Sequence, residues 1–569
     1  MIDLTGGRRS LRRWLQKGIG TAIGLAGCGL GVMAIPAYGA EEIIITYGFF
    51  ERTIAIEDLE AFAAGEGLSQ QLAQYAATFG LTEAELTAIR AVLTQRADVD
   101  EVDVAQFFYT TQGKTLLRFL GEVVQTPTRR SGFHAIRGSL ILAAADDEAG
   151  LTLLNFLKRY PTPAIRIDVA KGLEIAGAIT EVLGESERAI ALVQTLAAID
   201  AAQPLAGQEA ARQLIYQPSE FDVRTQPLNL PFRGVEATLF LPQPKSIAQR
   251  LPTEIPVIVI SHGLGDERAS YNYLANYLAG RGFAVATLDH PGSNSQQIAQ
   301  LLAGLSPNIV NDREFLNRPA DVSELLNELQ RLAIGDRELR WRLNTQNVGV
   351  IGHSFGGYTA LALAGATYDR TALDAACAPR PIYFNPSLLL QCQATVVAAE
   401  VPPLQDDRVK AILVVNPVGS GIFGPTGFGQ VQVPVMVMAA TADTVSPALP
   451  EQIEPFTWLQ AEHRYLALMS GTTHFSVINT SGAPSIPVPA TLLGRDPATS
   501  QTYLQVLSLA FFGRHLQQDV RYEAALTARF AQESVARSPL EPLSLLQGLS
   551  PEVLERAIDG EALVTETAE

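Results

Sequence analysis

The pattern of apolar and polar positions divides the chain into two parts of different texture. From Glu41 to about Tyr216, apolar residues recur mainly at helical spacing, apart from two β-type runs at residues 43–46 and 53–56 that predict a small hairpin. Thr82 and Glu85 fit a capping box at the start of one helix. The pattern therefore predicts a mostly helical N-terminal domain over residues 41–216.

Two further stretches of this predicted domain carry helical periodicity. Apolar residues from Leu116 to Val123 form a stripe, and residues 167–196 indicate one or two helices interrupted near Gly184. No motif of chemical interest stands out here, and we expect its only histidine, His134, to be a packed or surface residue.

After residue 226 short apolar runs alternate with helical stretches. The predicted strands are residues 235–242, 256–261, 283–289, 346–353, 409–416, 434–440 and 464–469. The predicted helices are residues 270–279, 322–332, 357–365, 450–459 and 503–515. This alternation is typical of an α/β domain with a mainly parallel sheet and helices on both faces. We expect the domain to cover residues 226–535, with an insertion at 367–405 and a C-terminal tail at 536–569.

Composition and charge narrow the class of protein. The chain has 569 residues, of which 47% are hydrophobic and 18% charged, and its formal net charge is −17. It is too apolar for a disordered chain and too long for a single core. The negative charge argues against nucleic-acid binding, because that function needs a basic surface. Three cysteines and seven histidines exclude a disulfide-built scaffold and a paired CxxC zinc site, and we expect neither metal nor cofactor.

Residues 1–40 have the layout of a secretory signal peptide. Five basic residues precede an uncharged run at 18–40 that is rich in Gly and Ala, and small residues at its end would allow cleavage before Ala40 or Glu41. Loss of those five basic residues and of Asp3 changes the net charge from −17 to −21. We therefore expect export to a periplasm or to the extracellular space.

Two other interpretations of this segment stay open. The sequence LAGC ending at Cys28 is similar to the lipobox of bacterial lipoproteins, which would give a lipid anchor. The apolar run is also about as long as a spanning helix, which would give an uncleaved anchor, although its glycines and Pro36 suit that role poorly.

Cys377 and Cys392 are the two cysteines after the predicted signal. In an oxidising compartment they would pair and close a loop of about 15 residues, which contributes roughly 3 kcal/mol in the loop-entropy treatment. The alternative is a pair of buried free thiols.

Ser354 is the candidate nucleophile. It lies in the GxSxG motif at 352–356, between a predicted strand and a helix that begins with small residues. This context is typical of a nucleophile elbow, a sharp strand-to-helix turn that holds the serine on a strained backbone. Gly352 and Gly356 would be required because side chains there would collide with the neighbouring strand and helix. The helix N-terminus also favours negative charge on the serine oxygen.

A serine nucleophile needs a base and an acid, which follow it in the order acid, then histidine, in enzymes built on such an elbow. His463 precedes the last predicted strand, at the wrong end of the sheet, and His515 falls late in a terminal helix. His474 follows that strand, at the carboxyl end where ligands bind, and is the predicted base. Asp443 ends the preceding strand and is the predicted acid. The alternative for Asp443 is an ordinary turn aspartate.

Two backbone N–H groups are needed to bind the oxyanion of the tetrahedral intermediate. Phe355 follows the nucleophile directly, and Leu264 lies on the loop after the first buried strand between Gly263 and Gly265, which let the chain bend towards the substrate. We expect the amides of Leu264 and Phe355 to be the donors. We expect three neighbouring histidines to make structural hydrogen bonds: His262, His290 and His353.

HGLG at 262–265 and GHSFGG at 352–357, together with Asp443 and His474, resemble the α/β-hydrolases related to platelet-activating-factor acetylhydrolase and dienelactone hydrolase. The signal and the helical N-terminal half are similar to secreted bacterial hydrolases whose first domain has no known function. Dienelactone hydrolases use a cysteine where Ser354 stands. Acetylhydrolases take their acid from the preceding strand, where this chain has neutral Asn416. Both departures argue against assigning this chain the specific substrate class of either enzyme group.

The expected activity is cleavage of a carboxylic ester through an acyl-enzyme, with a lipid or other hydrophobic ester as substrate. The insertion at 367–405 is a candidate cap, and the glycine-rich stretch at 419–429, with Ile422, Phe423 and Phe428, is a candidate acyl pocket. A membrane-surface contact would suit lipid substrates, while polyesters and thioesters stay open, as does the oligomeric state. The alternative to an enzyme is a non-catalytic binding or scaffold protein built on a hydrolase fold.

Overall fold

The computed structural model describes residues 39–97, 99–203, 206–335, 342–378, 385–397, 401–479, 490–494, 496–535 and 542–561. Residues 1–38 of the predicted signal, including Cys28, lie outside the described residues. So do residues 379–384 and 398–400 of the predicted insertion.

A small sheet organises the N-terminal part. Its strands are β1 (Glu42–Tyr47), β2 (Phe50–Ala55), β3 (Val124–Gln125) and β4 (Ala164–Asp168), in the order β2-β1-β4-β3. Strands β1 and β2 form the predicted hairpin, and β4 pairs parallel to β1. Ile167, predicted to begin a helix, lies in β4 instead, because its strand neighbours provide backbone partners that local periodicity does not reveal.

Helices surround this sheet and make up most of the N-terminal part. They are α1 (Ile56–Ala63), α2 (Gln70–Phe79), α3 (Glu83–Thr94), α4 (Glu101–Tyr109), α5 (Thr111–Val123), α6 (Phe133–Ala144), α7 (Leu153–Lys158), α8 (Val169–Ala202) and α9 (Gln208–Tyr216). Thr82 and Glu85 form the capping box that the sequence predicts for α3. The predicted interruption near Gly184 is absent, since α8 runs unbroken through it for 34 residues.

The larger sheet is mainly parallel. Its strands are β5 (Asp222–Asn229), β6 (Glu236–Gln243), β7 (Ile255–Ser261), β8 (Ala284–Leu288), β9 (Leu343–His353), β10 (Val409–Val415), β11 (Val435–Ala440), β12 (Arg464–Met469) and β13 (Leu543–Leu546). Their order is β13-β12-β11-β10-β9-β7-β8-β6-β5. The strands β7 to β12 are parallel, and β5, β6 and β13 are antiparallel to their neighbours.

Helices cover both faces of this sheet. They are α10 (Asn272–Ala279), α11 (Ser295–Leu302), α12 (Glu314–Gly335), α13 (Phe355–Leu363), α14 (Arg370–Ala376), α15 (Leu388–Gln391), α16 (Ser420–Phe428), α17 (Glu454–Trp458), α18 (Ala490–Leu493), α19 (Pro497–His515), α20 (Ala528–Phe530) and α21 (Pro551–Ile558). Along β7, Val257 and Val259 join the core under α12 and α13, whereas Ile258 and Ile260 join the core under α10 and α19. This arrangement confirms the predicted α/β class.

All seven strands predicted after residue 226 are present, but two edge strands were missed. Strand β5 carries Pro227 and many exposed positions, which is typical of an edge strand and leaves no alternating pattern. Strand β13 has only four residues. The segment predicted to be a tail at 536–569 therefore supplies an edge strand and helix α21.

The cores show which helices pack with which sheet. One apolar cluster joins the small sheet to α1, α3 and neighbouring helices and contains only residues 40–167. Ala189, Leu192 and Val193 of α8 belong instead to a cluster under the large sheet. Ile215 of α9 belongs to the cluster on its other face. Residues before about Asp168 therefore pack in the core of the small sheet, and residues well after it pack in the cores of the large sheet. The domain boundary that the sequence places at 216–226 stays a prediction.

No helix in the described part of the chain combines the length and the apolar character that crossing a membrane requires.

Candidate active site

Ser354 stands at the sharp turn between β9 and α13. Its backbone has φ 54° and ψ −115°, a positive-φ conformation that is strained for a residue with a side chain. A Cβ at Gly352 would overlap the carbonyl oxygen of Gly356, and a Cβ at Gly356 would overlap the carbonyl oxygen of Ser261 on β7. Both glycines are thus needed for the turn to close against the sheet.

Asp443 and His474 are joined by a hydrogen bond. The two atoms, Asp443 Oδ2 and His474 Nδ1, lie 2.7 Å apart, and both residues are buried. Asp443 Oδ1 also accepts the backbone N–H groups of Val445 and Ser446, each at 2.8 Å. The carboxylate is therefore held in place from two sides, and a proton on Nδ1 leaves His474 Nε2 free to accept another.

The residues around Ser354 bring the loop of His474 to the nucleophile. His353 Nε2 donates to the carbonyl oxygen of His474 at 2.9 Å, and the two imidazole ring centres lie 4.9 Å apart. In the described part of the chain no hydrogen bond joins Ser354 Oγ to His474 Nε2. Catalytic hydrogen bonds commonly tighten only when a substrate binds.

The two predicted oxyanion donors have free amides. Within the described residues, neither the Leu264 nor the Phe355 N–H donates to a protein acceptor, and Phe355 begins α13, where the helix dipole favours an anion. Gly263 packs on the nucleophile, since a Cβ there would lie 3.4 Å from Ser354 Cβ. Gly265 has φ 74° and its N–H donates to the carbonyl oxygen of Ser293 at 2.8 Å, which fixes the bend after Leu264.

Two of the neighbouring histidines make structural hydrogen bonds behind the site, as the sequence predicts. His262 Nδ1 donates to the carbonyl oxygen of Gly263, and its Nε2 accepts the backbone N–H of His290. His290 in turn contacts Ser261 Oγ at 2.9 Å and Asp321 Oδ2 at 3.0 Å. Burial holds the pKa of both imidazoles well below the usual range, so both stay neutral.

A buried charged cluster under the oxyanion loop was missed by sequence reasoning. The fully buried Arg318 donates to the carbonyl oxygen of His262, to Ser293 Oγ and to Thr359 Oγ1, and its guanidinium lies 4.6 Å from the centre of the Phe355 ring. It therefore contacts both segments that carry the predicted oxyanion donors. Burial lowers the pKa of Arg318 to about 10, which leaves it charged at neutral pH.

The acidic members of this cluster are Glu314 and Asp321, both fully buried on α12. Arg233 binds Glu314 at 2.5 Å and Asp321 at 2.9 Å. A signal for the cluster was available in the sequence, because Arg318 and Asp321 share helical spacing with Phe315, Val322 and Leu325 on the buried face of α12. The predicted helix began only at residue 322.

Asn416, which directly follows strand β10, connects the two loops of the site. Its Oδ1 accepts the N–H of Ala440 at 3.0 Å, and its Nδ2 donates to the carbonyl oxygen of His474 at 3.3 Å. A neutral side chain can make both contacts at once, whereas a carboxylate cannot donate.

The predicted insertion is tied to the core at a buried carboxylate. Glu451 accepts hydrogen bonds from Asn385, Ser387 and Gln391 of the insertion and from both the N–H and hydroxyl of Ser420. A disulfide joins Cys377 and Cys392 across the same insertion.

The candidate acyl pocket at 419–429 is corrected by the structure. Ile422, Phe423 and Phe428 are buried in the core, where the Phe423 ring stacks 5.2 Å from that of Tyr358. Side chains with almost no exposed surface do not line an open pocket. Two half-buried apolar residues neighbour the predicted site residues: Leu264 carries a donor amide, and the Phe475 ring centre lies 5.1 Å from that of His474.

The remaining histidines lie elsewhere. His463 and His515 pack together, with ring centres 5.0 Å apart, and His134 sits beside Arg137 in the N-terminal part. Among the residues that the structure describes, no group of three or more His, Cys, Asp or Glu side chains is arranged to hold a metal ion.

Two family models match the chain. One, described as an alpha/beta hydrolase of unknown function (DUF1400), matches residues 39–168, which span the small sheet and helices α1 to α7. The other, described as the alpha/beta hydrolase family, matches residues 257–541, half of the chain, and takes in Ser354, Asp443 and His474. The strand order of the large sheet and the turn at Ser354 agree with that match. The chain belongs to the alpha/beta hydrolase family and is a hydrolase.

Proposed function

We propose that this hydrolase cleaves carboxylic esters with Ser354 as nucleophile, His474 as base and Asp443 as the residue that orients the base. The observation that carries the proposal is the 2.7 Å hydrogen bond between Asp443 and His474, on loops that meet at the strained turn of Ser354. The free amides of Leu264 and Phe355 beside this turn support an oxyanion site.

The reaction would proceed through an acyl-enzyme. His474 Nε2 takes the proton of Ser354 as Oγ attacks the ester carbonyl carbon, and the Leu264 and Phe355 amides bind the resulting oxyanion. The same proton then passes from His474 to the leaving alcohol as its bond to the carbonyl carbon breaks. Water then attacks the acyl-enzyme by the same steps and releases the acid. Asp443 stabilises the imidazolium of His474 in both acylation and deacylation.

Hydrophobic esters, including lipids, are the substrate class that we favour. Leu264 carries one of the donor amides and the Phe475 ring contacts that of His474, and apolar side chains at such positions favour an acyl chain over a sugar or a charged peptide. The predicted signal peptide leads us to place the enzyme outside the cytoplasm, which cell fractionation of the full-length chain would test.

Hydrolysis of p-nitrophenyl esters of increasing acyl length tests the proposal. We expect wild-type activity to rise with chain length, and Ser354→Ala to lower kcat by at least about a thousandfold, because residual rates come only from the oxyanion site and binding. Ser246→Ala, at an exposed loop serine far along the chain from the motif, serves as the matched control. Equal rates for wild type and Ser354→Ala would contradict the proposal and favour a binding protein on a hydrolase fold.

A further inference from the structure

The N-terminal part holds an apolar groove of about 550 Å³ between the hairpin and helices α1 to α3. This volume lies within the range of small-ligand sites. Most of the lining side chains are aliphatic or aromatic, among them Ile45, Ile54, Leu59, Leu72, Tyr75 and Leu86. The groove opens to solvent at its rim, where the side chains of Phe79 and Ile89 are 76% and 39% exposed. Exposed apolar surface gathered in one groove is typical of binding sites.

A single cation lies in this apolar lining. Of the residues that border the groove in the described part of the chain, only Arg52 is charged. It lies opposite Ile45 in the β1–β2 ladder, so its side chain shares the groove face with Ile45 and Ile54.

Arg52 makes no ion pair with any acidic side chain that the structure describes; its guanidinium contacts only the backbone oxygen of Glu51, at 3.1 Å. The Glu51 carboxylate is bound instead by Arg166 at 2.6 Å and Arg129 at 3.2 Å, on the opposite face of the strand. In a chain of net charge −17, an arginine without an acidic partner beside an apolar groove is complementary to an anionic head on an apolar tail.

We propose that this groove binds a fatty acid, with the hydrocarbon tail along the apolar lining and the carboxylate on Arg52. The site is separate from the hydrolase centre and does not depend on the proposed ester cleavage. It would give the N-terminal part a function of its own, namely to hold an acyl carboxylate of the kind that hydrolysis of a fatty ester releases.

Displacement of a fluorescent fatty acid from the full-length chain tests the head-group contact. We expect laurate to displace the probe at a lower concentration than dodecanol does. Arg52→Gln should weaken laurate about tenfold and leave dodecanol unchanged, because it removes one charge-assisted hydrogen bond. Arg52→Lys should recover part of the loss. Arg130→Gln, at an exposed arginine outside the groove, is the matched control. Equal binding of laurate by wild type and Arg52→Gln would overturn the proposal.

A second pair of variants tests where the tail lies. Thr78→Trp fills the groove from an exposed position of α2 and should abolish binding of both laurate and dodecanol. Thr87→Trp, at an exposed position of α3 outside the groove, should not. Both threonines bond the carbonyl oxygen four residues earlier, so the backbone change is matched. Unchanged laurate binding in Thr78→Trp would overturn the proposal.

Two further measurements distinguish the groove from the hydrolase centre and from a membrane contact. Ser354→Ala should bind laurate like wild type. The proposed ester cleavage and the proposed fatty-acid binding can therefore be refuted independently of each other. Sedimentation with phosphatidylcholine vesicles distinguishes free acid from a bilayer as the source of the acyl chain. If wild type binds vesicles but not free laurate, and Thr78→Trp abolishes the vesicle binding, the groove is a membrane contact. That outcome would overturn the proposal.

Discussion

His353, the residue before the nucleophile, is a buried imidazole that holds the base loop by its Nε2 hydrogen bond to the carbonyl oxygen of His474. Its Nδ1 has no partner among the described residues, so protonation there would place an unpaired charge in the buried interior. Burial accordingly lowers the pKa of His353 to about 3, with the neighbouring His474 adding to the effect. The side chain is neutral throughout the physiological range.

This buried imidazole predicts a pH-dependent contribution to stability. In the unfolded chain His353 titrates near 6.5 and in the folded protein near 3, so between these values the unfolded state binds more protons and stability is lost as the pH falls. Urea unfolding at pH 7.5 and 5.5 should show wild type losing about 1.4 kcal/mol more than His353→Gln. Glutamine can still donate to the His474 carbonyl oxygen. The contributions of the other titrating groups to the loss of stability are the same in both proteins and cancel in the comparison. The same loss in both proteins would contradict a neutral, buried His353.

Single residues differed in how far the sequence could predict them. Ser354, Asp443 and His474 follow strand ends, so their order along the chain was enough to predict which loops would meet. Arg318 could not be assigned in this way, because its partners His262, Ser293 and Thr359 come from three separate segments. A buried charge is specified by what surrounds it in space.

At the scale of elements, the insertion between α13 and β10 depends on a few cross-links. Besides the disulfide, much of its polar attachment in the described residues is the set of hydrogen bonds to Glu451 and the bond that Gln391 accepts from the N–H of Gly421. It has little regular structure, since α14 and α15 are only seven and four residues long. The covalent bond therefore limits how far this segment can spread when the protein unfolds.

Removal of the disulfide should be costly. Cys377 and Cys392 are 15 residues apart, and opening a loop of that length is expected to lower the free energy of unfolding by about 3 kcal/mol. We expect the double variant Cys377→Ser, Cys392→Ser to show this loss in urea unfolding, and wild type in dithiothreitol to match it. Dithiothreitol should leave the double variant unaffected, and a double variant as stable as oxidised wild type would refute the prediction.

Elements with strong local patterns were predictable, whereas those defined by distant partners were not. The parallel strands contain mainly apolar runs, so all of those after residue 226 were found. Strands β4 and β13 are defined by their backbone pairing with β1 and β12, which are distant in sequence. Helix α8 continues through Gly184 because packing further along it outweighs the roughly 1 kcal/mol that a glycine costs in a helix.

At the scale of the whole molecule, the small sheet and the hydrolase part have separate cores, but α8 serves both. It begins directly after β4 and contacts β1 and α5, while its later residues pack under the large sheet against β13 and α21. Gln194 on this helix also donates to Ser470 Oγ at 2.9 Å, four residues before the base. The N-terminal part is thus connected to the loop of His474.

Two truncations separate these contributions. A chain that begins at Val169 keeps α8 and should fold, with its hydrolase activity retained. A chain that begins at Gln217 lacks Leu192 and Val193, whose burial is worth roughly 1.5–3 kcal/mol each, and should be far less stable. Thermal unfolding followed by circular dichroism compares the two. Equal stability would show that α8 is dispensable to the hydrolase core.

If the N-terminal part acts as a cap, the chain that begins at Val169 should also change its preference for acyl length. The p-nitrophenyl ester series measures this preference, and an unchanged order of rates would refute that role.

The contact between α8 and α21 has a consequence for how the protein is made. Arg188 donates to the carbonyl oxygen of Ile558, 370 residues further along the chain. Closing so large a loop is slow, and α8 leaves the ribosome long before β13 and α21 exist to cover it. The cover over α8 is therefore complete only when synthesis is nearly finished, and until then the emerging chain exposes the apolar face of α8 to chaperones.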